Sequence, residues 1–328
     1  MKHRRLGALL AVVAAVLLAL TACVKSDSSE NAVYSDPAAT PGFDLGENPR
    51  VVALGWSDGA IALELGVKPV AIYDWMGFGA ETKGVGAWDV EKFGEDTPQL
   101  ISAASQGDFN YQLIEELEPD LILNVRGSSE SKVTDRLRQI APVVVAPAGS
   151  GDFAVNWKVQ TELIGKALGK GSEAEKLIGD TDAVITRIKA ANPQFAGKTF
   201  VYGVKFGTAY GAYLAGDARF DVFADLGFVQ NPPVTSLQSS GFFANVPVER
   251  VGDLNAQVAL LSTIGLPFAD LENDQRLNSL SVVRDDRAVR LPETDPAVQA
   301  LSAGTPASLA FALDQVAPKL TAAADRVN

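Results

Sequence analysis

The chain is nearly free of the side chains that hold transition metals and drive most hydrolytic triads. Its 328 residues contain one histidine, His3, and one cysteine, Cys23. Everything after residue 23 therefore lacks both imidazole and thiol. Zinc, copper and nickel sites built on those donors are excluded, as is every triad that uses histidine as its base. Basic residues are scarce as well: 28 Lys and Arg stand against 40 Asp and Glu, a formal charge of −12. The first 22 residues hold Lys2, Arg4 and Arg5 and no acid, so removing those three basic groups leaves −15 on the remainder. Nucleic acid and anionic membrane surfaces are poor electrostatic partners for such a chain. Long apolar runs are confined to the N-terminus, and no later stretch is long and apolar enough to span a bilayer.

What is present begins with a secretion signal. Lys2, Arg4 and Arg5 precede the apolar run Leu6 to Leu20, a charged region followed by a core too short to cross a membrane. The run ends in Leu20-Thr21-Ala22-Cys23, which resembles the bacterial lipobox. Residues 1–22 thus read as a lipoprotein signal peptide and Cys23 as the lipidated first residue. Residues 23–48, rich in Ser, Asp, Glu, Asn and Pro, read as a flexible tether. The expected location is the cell membrane, lipid-anchored on the extracytoplasmic side.

Past residue 48, strands and helices alternate. Val51–Leu54, Pro69–Ile72, Leu121–Val125 and Val143–Val145 are short apolar strands. Between them lie helical stripes: Ile61, Ala62 and Leu65; Leu113, Ile114 and Leu117; Val133, Leu137 and Ile140. Residues 76–108 read as a long loop. Ser172 with Glu175 has the spacing of a capping box, and Leu177, Ile178, Thr181, Val184, Ile185 and Ile188 keep helical spacing to about Ala191. A second series follows with Phe200–Val204, Val258–Leu261, Ala288–Leu291 and a final helix. The expected fold is α/β: two Rossmann-like lobes with mostly parallel sheets, joined by one long rigid helix, with a ligand cleft between them. The expected boundaries are 49–150 for the first lobe, 151–192 for the linker with its helix, and 193–328 for the second lobe.

Ligands in open α/β sheets bind beyond the carboxyl ends of the strands. Arg126 ends the strand Leu121–Val125, and its fork of donors suits grouped anionic oxygens. Trp56 and Trp75 follow two neighbouring strands and can cover the apolar rim of a bulky ligand. Lys205, Tyr210 and Thr263 stand at the equivalent edge of the second lobe. Gly55-Trp56-Ser57-Asp58-Gly59 matches the nucleophile elbow of serine hydrolases, yet no histidine exists to deprotonate Ser57. Helix capping by Ser57 is the competing reading, and no catalytic residue is assigned. Iron capture by Tyr202, Tyr210 and Tyr213 has no recognised spacing, so no metal ligands are assigned either. An adhesion or scaffold lobe without a small ligand is a further alternative.

In order along the chain, Pro49-Arg50-Val51-Val52-Ala53-Leu54, Leu65-Gly66-Val67-Lys68-Pro69-Val70, Leu117-Glu118-Pro119-Asp120-Leu121-Ile122-Leu123 and Ile140-Ala141-Pro142-Val143-Val144 form a set, continued by Ala224–Phe228 and Val246–Glu249. This set resembles the ABC-transporter substrate-binding proteins of the iron-siderophore group, which also includes cobalamin and haem binders. The segments 74–79 and 211–219 look most like actinobacterial lipoproteins of that group. The resemblance implies a ferric siderophore in the cleft, with iron entering only as the pre-formed chelate and no cofactor of the protein's own. Cobalamin or haem is the alternative ligand. It also implies an ABC permease with its ATPase as partner, a monomeric state, and a docking carboxylate on each lobe. Glu249 matches the second-lobe position. Gln112 stands at the first-lobe position, with Glu115 or Glu116 as the nearby acids.

Overall fold

Short apolar runs pair into two separate sheets in the computed structural model, which describes residues 31–103 and 107–327. The signal peptide, Cys23 and the first part of the expected tether lie outside the described residues. Strands β1 (Val33–Tyr34), β2 (Val51–Ala53), β3 (Ala71–Tyr73), β4 (Gln99–Ile101), β5 (Leu121–Asn124) and β6 (Val143–Val145) form the first sheet, in the order β1-β6-β5-β2-β3-β4. Every pairing in it is parallel. The central β2 and β5 are buried along their whole length, which is why they read as unbroken apolar runs rather than alternating ones. Helices α1 (Asp58–Glu64), α2 (Tyr111–Glu116), α3 (Ser131–Leu137) and α4 (Trp157–Ala167) supply the apolar faces that cover the sheet.

Two sequence expectations are corrected in this lobe. Residues 23–48 are not a free tether throughout, because β1 adds to the edge of β6 and Tyr34 meets Phe43 edge-on at 5.0 Å. Residues 76–108 are not one irregular loop: they contain β4 and two 3-10 turns, Ala80–Thr82 and Val90–Phe93. Val85 and Phe93 anchor that segment by packing against Leu63 of α1.

The long helix α5 (Gly171–Ala191) has 21 residues and so runs about 30 Å. Its Ala174 packs into the core under the first sheet, whereas Ile185 and Ile188 pack into the core of the second. It thus grips both lobes rather than spanning open solvent. The helix starts at Gly171 without a side-chain cap, so the Ser172–Glu175 capping box does not form. Neighbouring α4 does not belong to a linker by its packing: Leu163, Ile164 and Ala167 share one core with Val51 and Leu121.

The second sheet is mixed. It runs β10 (Ser239–Ser240), β11 (Phe243–Val246), β8 (Ala209–Tyr213), β7 (Thr199–Phe206), β12 (Val258–Ile264), β13 (Ala288–Arg290), with β9 (Val229–Gln230) paired to the start of β7. The β12 side is parallel and the β8–β11–β10 side antiparallel. Only Gly207 and Thr208 separate β7 from β8, and a connection that short permits only a hairpin. Gly207 takes the positive φ of 51° that the turn needs. Around the sheet lie α6 (Ala218–Asp225), the short helices α7 to α10 (Pro232–Thr235, Phe268–Glu272, Gln275–Ser279 and Ser281–Arg284), α11 (Pro296–Ala303) and α12 (Pro306–Ala324). Leu309, Leu313, Val316 and Leu320 of α12 are fully buried at helical spacing. No described helix is long and apolar enough to cross a membrane.

Candidate functional site

Neighbouring strands β2 and β5 deliver their carboxyl-end loops side by side. Gly55 allows this approach, since a Cβ there would lie 2.1 Å from Asp58 Oδ2 and 2.9 Å from the Arg126 nitrogen. Asp58 is fully buried and ties the two loops together. It accepts from the Val125 N–H at 2.7 Å, the Arg126 N–H at 3.4 Å and Gln160 Nε2 at 2.7 Å. Burial pushes its carboxyl up to about 6 despite those donors. Ser57, between them, adopts a left-handed φ of 64° and makes no side-chain cap bond, so the capping role expected for it does not hold.

Trp56 and Trp75 lie in a continuous stack. Their rings are 4.4 Å apart and nearly parallel, and Phe153 covers the other side of Trp56 at 4.4 Å. Together they form the first-lobe wall of a cleft of about 870 Å³. The facing wall comes from Tyr202, Tyr213, Arg219, Phe242 and Thr263 of the second lobe. That volume fits a bulky organic ligand. A second hollow, about 910 Å³, is lined by Pro49, Arg50, Val70 and Pro98. It sits at the amino ends of the same strands, the wrong edge for a ligand site in a parallel sheet.

The structure reassigns three of the six expected ligand residues. Arg126 is only 3 % exposed and does not line the cleft. Its guanidinium crosses between the lobes, pairing with Asp217 at 3.2 Å and donating to the carbonyls of Phe153, Ser302 and Ala303. It also lies 5.5 Å from the Trp56 ring and 5.9 Å from Trp75. Lys205 and Tyr210 face away from the cleft. They stand opposite each other on β7 and β8, and both donate to Asp274, Tyr210 Oη at 2.7 Å. Burial and then Asp274 push the Tyr210 phenol up to about 12. Alternation along β7 explains the miss: Tyr202 and Val204 point into the cleft, so Lys205 cannot. Trp56, Trp75 and Thr263 do line it.

The cation in the cleft wall is instead Arg219. Asp217, which caps α6 by accepting from the Arg219 N–H, grips the same guanidinium through both oxygens, at 2.6 and 2.7 Å. Tyr213 Oη accepts from it at 2.8 Å, and the guanidinium lies 3.8 Å over the Tyr213 ring. Burial would raise the Asp217 carboxyl, but Arg219 and Arg126 outweigh it and hold it below its ordinary range. Burial raises the Tyr202 and Tyr213 phenols, so both remain neutral groups at physiological pH. Two buried donors in the wall, Trp56 Nε1 and Ser262 Oγ, have no protein partner. Thr263 touches the cleft at the end of β12, but it pairs with Lys205 and its side chain shares that residue's face of the sheet. Buried polar groups without partners are costly, and here they point to a ligand with oxygen acceptors. Sequence reading missed Phe153, Tyr202, Tyr213, Arg219, Phe242 and Ser262 as cleft residues. An Asp-Ala-Arg run opening an apolar helix was the one signal that pointed at Arg219. Among the expected docking acids, Glu115, Glu116 and Glu249 are all exposed, and Gln112 donates to Glu116 at 2.9 Å.

Comparison with known proteins agrees with this architecture. A family model described as "Periplasmic binding protein" matches residues 51–293. A probable siderophore-binding lipoprotein of Bacillus subtilis (strain 168) is 31 % identical over 182 residues, 53 % of this chain and 52 % of that protein. The match thus spans about half the length of that relative. A periplasmic solute binding protein from Mycobacterium smegmatis superposes with a TM-score of 0.73 at 25 % identity, covering 86 % of this chain and 97 % of that one. PiaA of Streptococcus pneumoniae, solved with ferrichrome, gives 0.71 at 23 %, covering 88 % and 99 %, a likeness of fold.

Proposed function

The chain belongs to the periplasmic binding protein family, and we propose that its interlobe cleft captures a ferric siderophore and presents it to an ABC permease for iron uptake. The observation that carries this reading is the aromatic cleft with two unpaired buried donors, opened at the carboxyl edge of the sheets. A siderophore presents oxygen acceptors around its metal and an apolar periphery, which suits hydroxyl and indole donors set among stacked rings. The metal arrives already chelated, so the scarcity of protein ligands in the chain is no obstacle. Relatives support the substrate class by their names alone: one is a probable siderophore-binding lipoprotein, and another was solved with ferrichrome.

In this reading Cys23 carries the lipid that holds the protein at the extracytoplasmic face of the membrane. Residues 1–22 are removed, and a short tether precedes β1. Glu249 and Glu115 or Glu116 supply the carboxylates that meet the permease with its ATPase, and the protein acts as a monomer. Ser57 takes no chemical role, since the chain holds no histidine after His3 to serve as its base. Calorimetric titration with a panel of ferric siderophores, ferric citrate, haem and cobalamin tests the proposal. Saturable binding of a ferric siderophore at or below micromolar Kd is expected. Silence toward every iron chelate, with tight cobalamin or haem binding, would move the ligand, and silence across the whole panel would sink the reading.

A further inference from the structure

The cleft is less cationic than the basic residues around it suggest. Lys205 is held by Asp274 on the far side of its sheet. Arg126 and Arg219 both pair with Asp217, so each buried guanidinium is already engaged by a carboxylate, while Asp58 accepts from the Arg126 backbone N–H rather than from its guanidinium. Among the described residues that line the cleft, the charged ones are Arg219, Asp152 and Glu293. Arg219 is already paired, whereas Asp152 and Glu293 are exposed acids that face the ligand space. Asp152 accepts from the Ser129 N–H and hydroxyl at 2.6 and 2.7 Å, which holds it ionised. The cleft-facing donors left without a partner are neutral: the Ser262 hydroxyl, 1 % exposed, and the Trp56 indole. Arg219 has five N–H groups. Three are engaged by Asp217 and Tyr213, which leaves two to donate to a ligand oxygen without making the site positive overall.

Resting on the siderophore reading above, we propose that this cleft selects ferric chelates of zero or positive net charge, the tris-hydroxamate class, over the trianionic tris-catecholates. Three hydroxamates each carry one negative charge and cancel the charge of iron(III). Three doubly deprotonated catecholates carry six and leave −3 on the complex. A trianion entering the cleft meets Asp152 and Glu293 and no unpaired cation, in a protein that is strongly acidic overall. A neutral chelate still finds the hydroxyl, indole and guanidinium donors, and its apolar arms meet the Trp56–Trp75–Phe153 stack. A cationic arm would be favoured by the two acids.

Calorimetry on the full chain tests the inference with three ferric chelates: a neutral tris-hydroxamate, a tris-hydroxamate carrying a free ammonium group, and a tris-catecholate of charge −3. Both hydroxamates are expected to bind at least about tenfold tighter than the trianion. Raising the salt is expected to narrow the gap by screening repulsion, and Glu293→Gln to narrow it by several-fold. Equal or tighter binding of the trianion would overturn the inference while leaving siderophore transport standing. Failure of all three chelates would instead remove the transport reading and the selectivity with it.

Discussion

Replacing Arg126 by methionine separates the two roles that an arginine at this edge can play. The side chain is 3 % exposed and carries four bonds, to Asp217 across the lobes and to the carbonyls of Phe153, Ser302 and Ala303. Removing one partner of a buried pair costs about 3–5 kcal/mol when the other charge is stranded. Asp217 would not be stranded, because Arg219 still grips both of its oxygens at 2.6 and 2.7 Å. What is lost is then the set of charge-assisted bonds rather than a counterion, about 3 kcal/mol. With an unfolding entropy of about 2.1 cal/mol/K per residue over about 300 residues, that lowers Tm by roughly 5 °C. Scanning calorimetry measures the shift, and a titration below Tm measures chelate affinity, which is expected to change by less than about threefold. The combined Arg126→Met and Asp217→Asn variant should lose less than the sum of the single changes. An unchanged Tm with a hundredfold loss of affinity would refute the interlobe assignment and return Arg126 to the ligand.

Further outcomes follow from the same geometry. Lys205→Met removes the Asp274 ion pair and should lower stability by about 1–3 kcal/mol while leaving chelate affinity intact, measured by urea unfolding and titration side by side. Ser262→Ala removes an unpaired buried hydroxyl on the cleft face, so stability should hold or fall only slightly while affinity falls about tenfold, a lost bond of about 1.4 kcal/mol. Asp58 adds a pH dependence. Its carboxyl sits at about 6 in the folded protein against 3.8 ordinarily. The native state therefore keeps a proton that the unfolded chain has lost. That contribution is full below pH 3.8 and is lost as the pH rises through 6, about 3 kcal/mol in all. Urea unfolding between pH 4 and 7 should show the fall, and Asp58→Asn should flatten it.

The layout of lobes was legible because its signals are local. Val51–Ala53 and Leu121–Asn124 are buried on both faces and read as solid apolar runs, and α5 carries its stripe over its full length. Antiparallel pairing in the second lobe was legible in principle, since Phe206-Gly207-Thr208-Ala209 leaves room only for a hairpin. The edge strand β1 was not, because two residues of strand in a polar segment carry no period. Site residues divided along the same line. Trp56, Trp75 and Thr263 follow from the carboxyl-edge rule, which needs only strand positions. Arg126, Lys205 and Tyr210 failed because their partners lie far along the chain: Asp217 is 91 residues from Arg126, and Asp274 is 69 and 64 from Lys205 and Tyr210. Which cation is free for a ligand depends on pairings that no local pattern encodes.

The proposed seat of the iron chelate lies between the Trp56–Trp75 stack and the Tyr213–Arg219–Ser262 wall. Anomalous diffraction at the iron edge, from crystals grown with a ferric tris-hydroxamate, tests it most directly. One strong iron peak is expected inside the cleft, with chelate oxygens within hydrogen-bond reach of Ser262 Oγ or the Arg219 guanidinium. An iron peak in the hollow beside Arg50 and Pro98, or an empty cleft in crystals that contain the chelate, would contradict it.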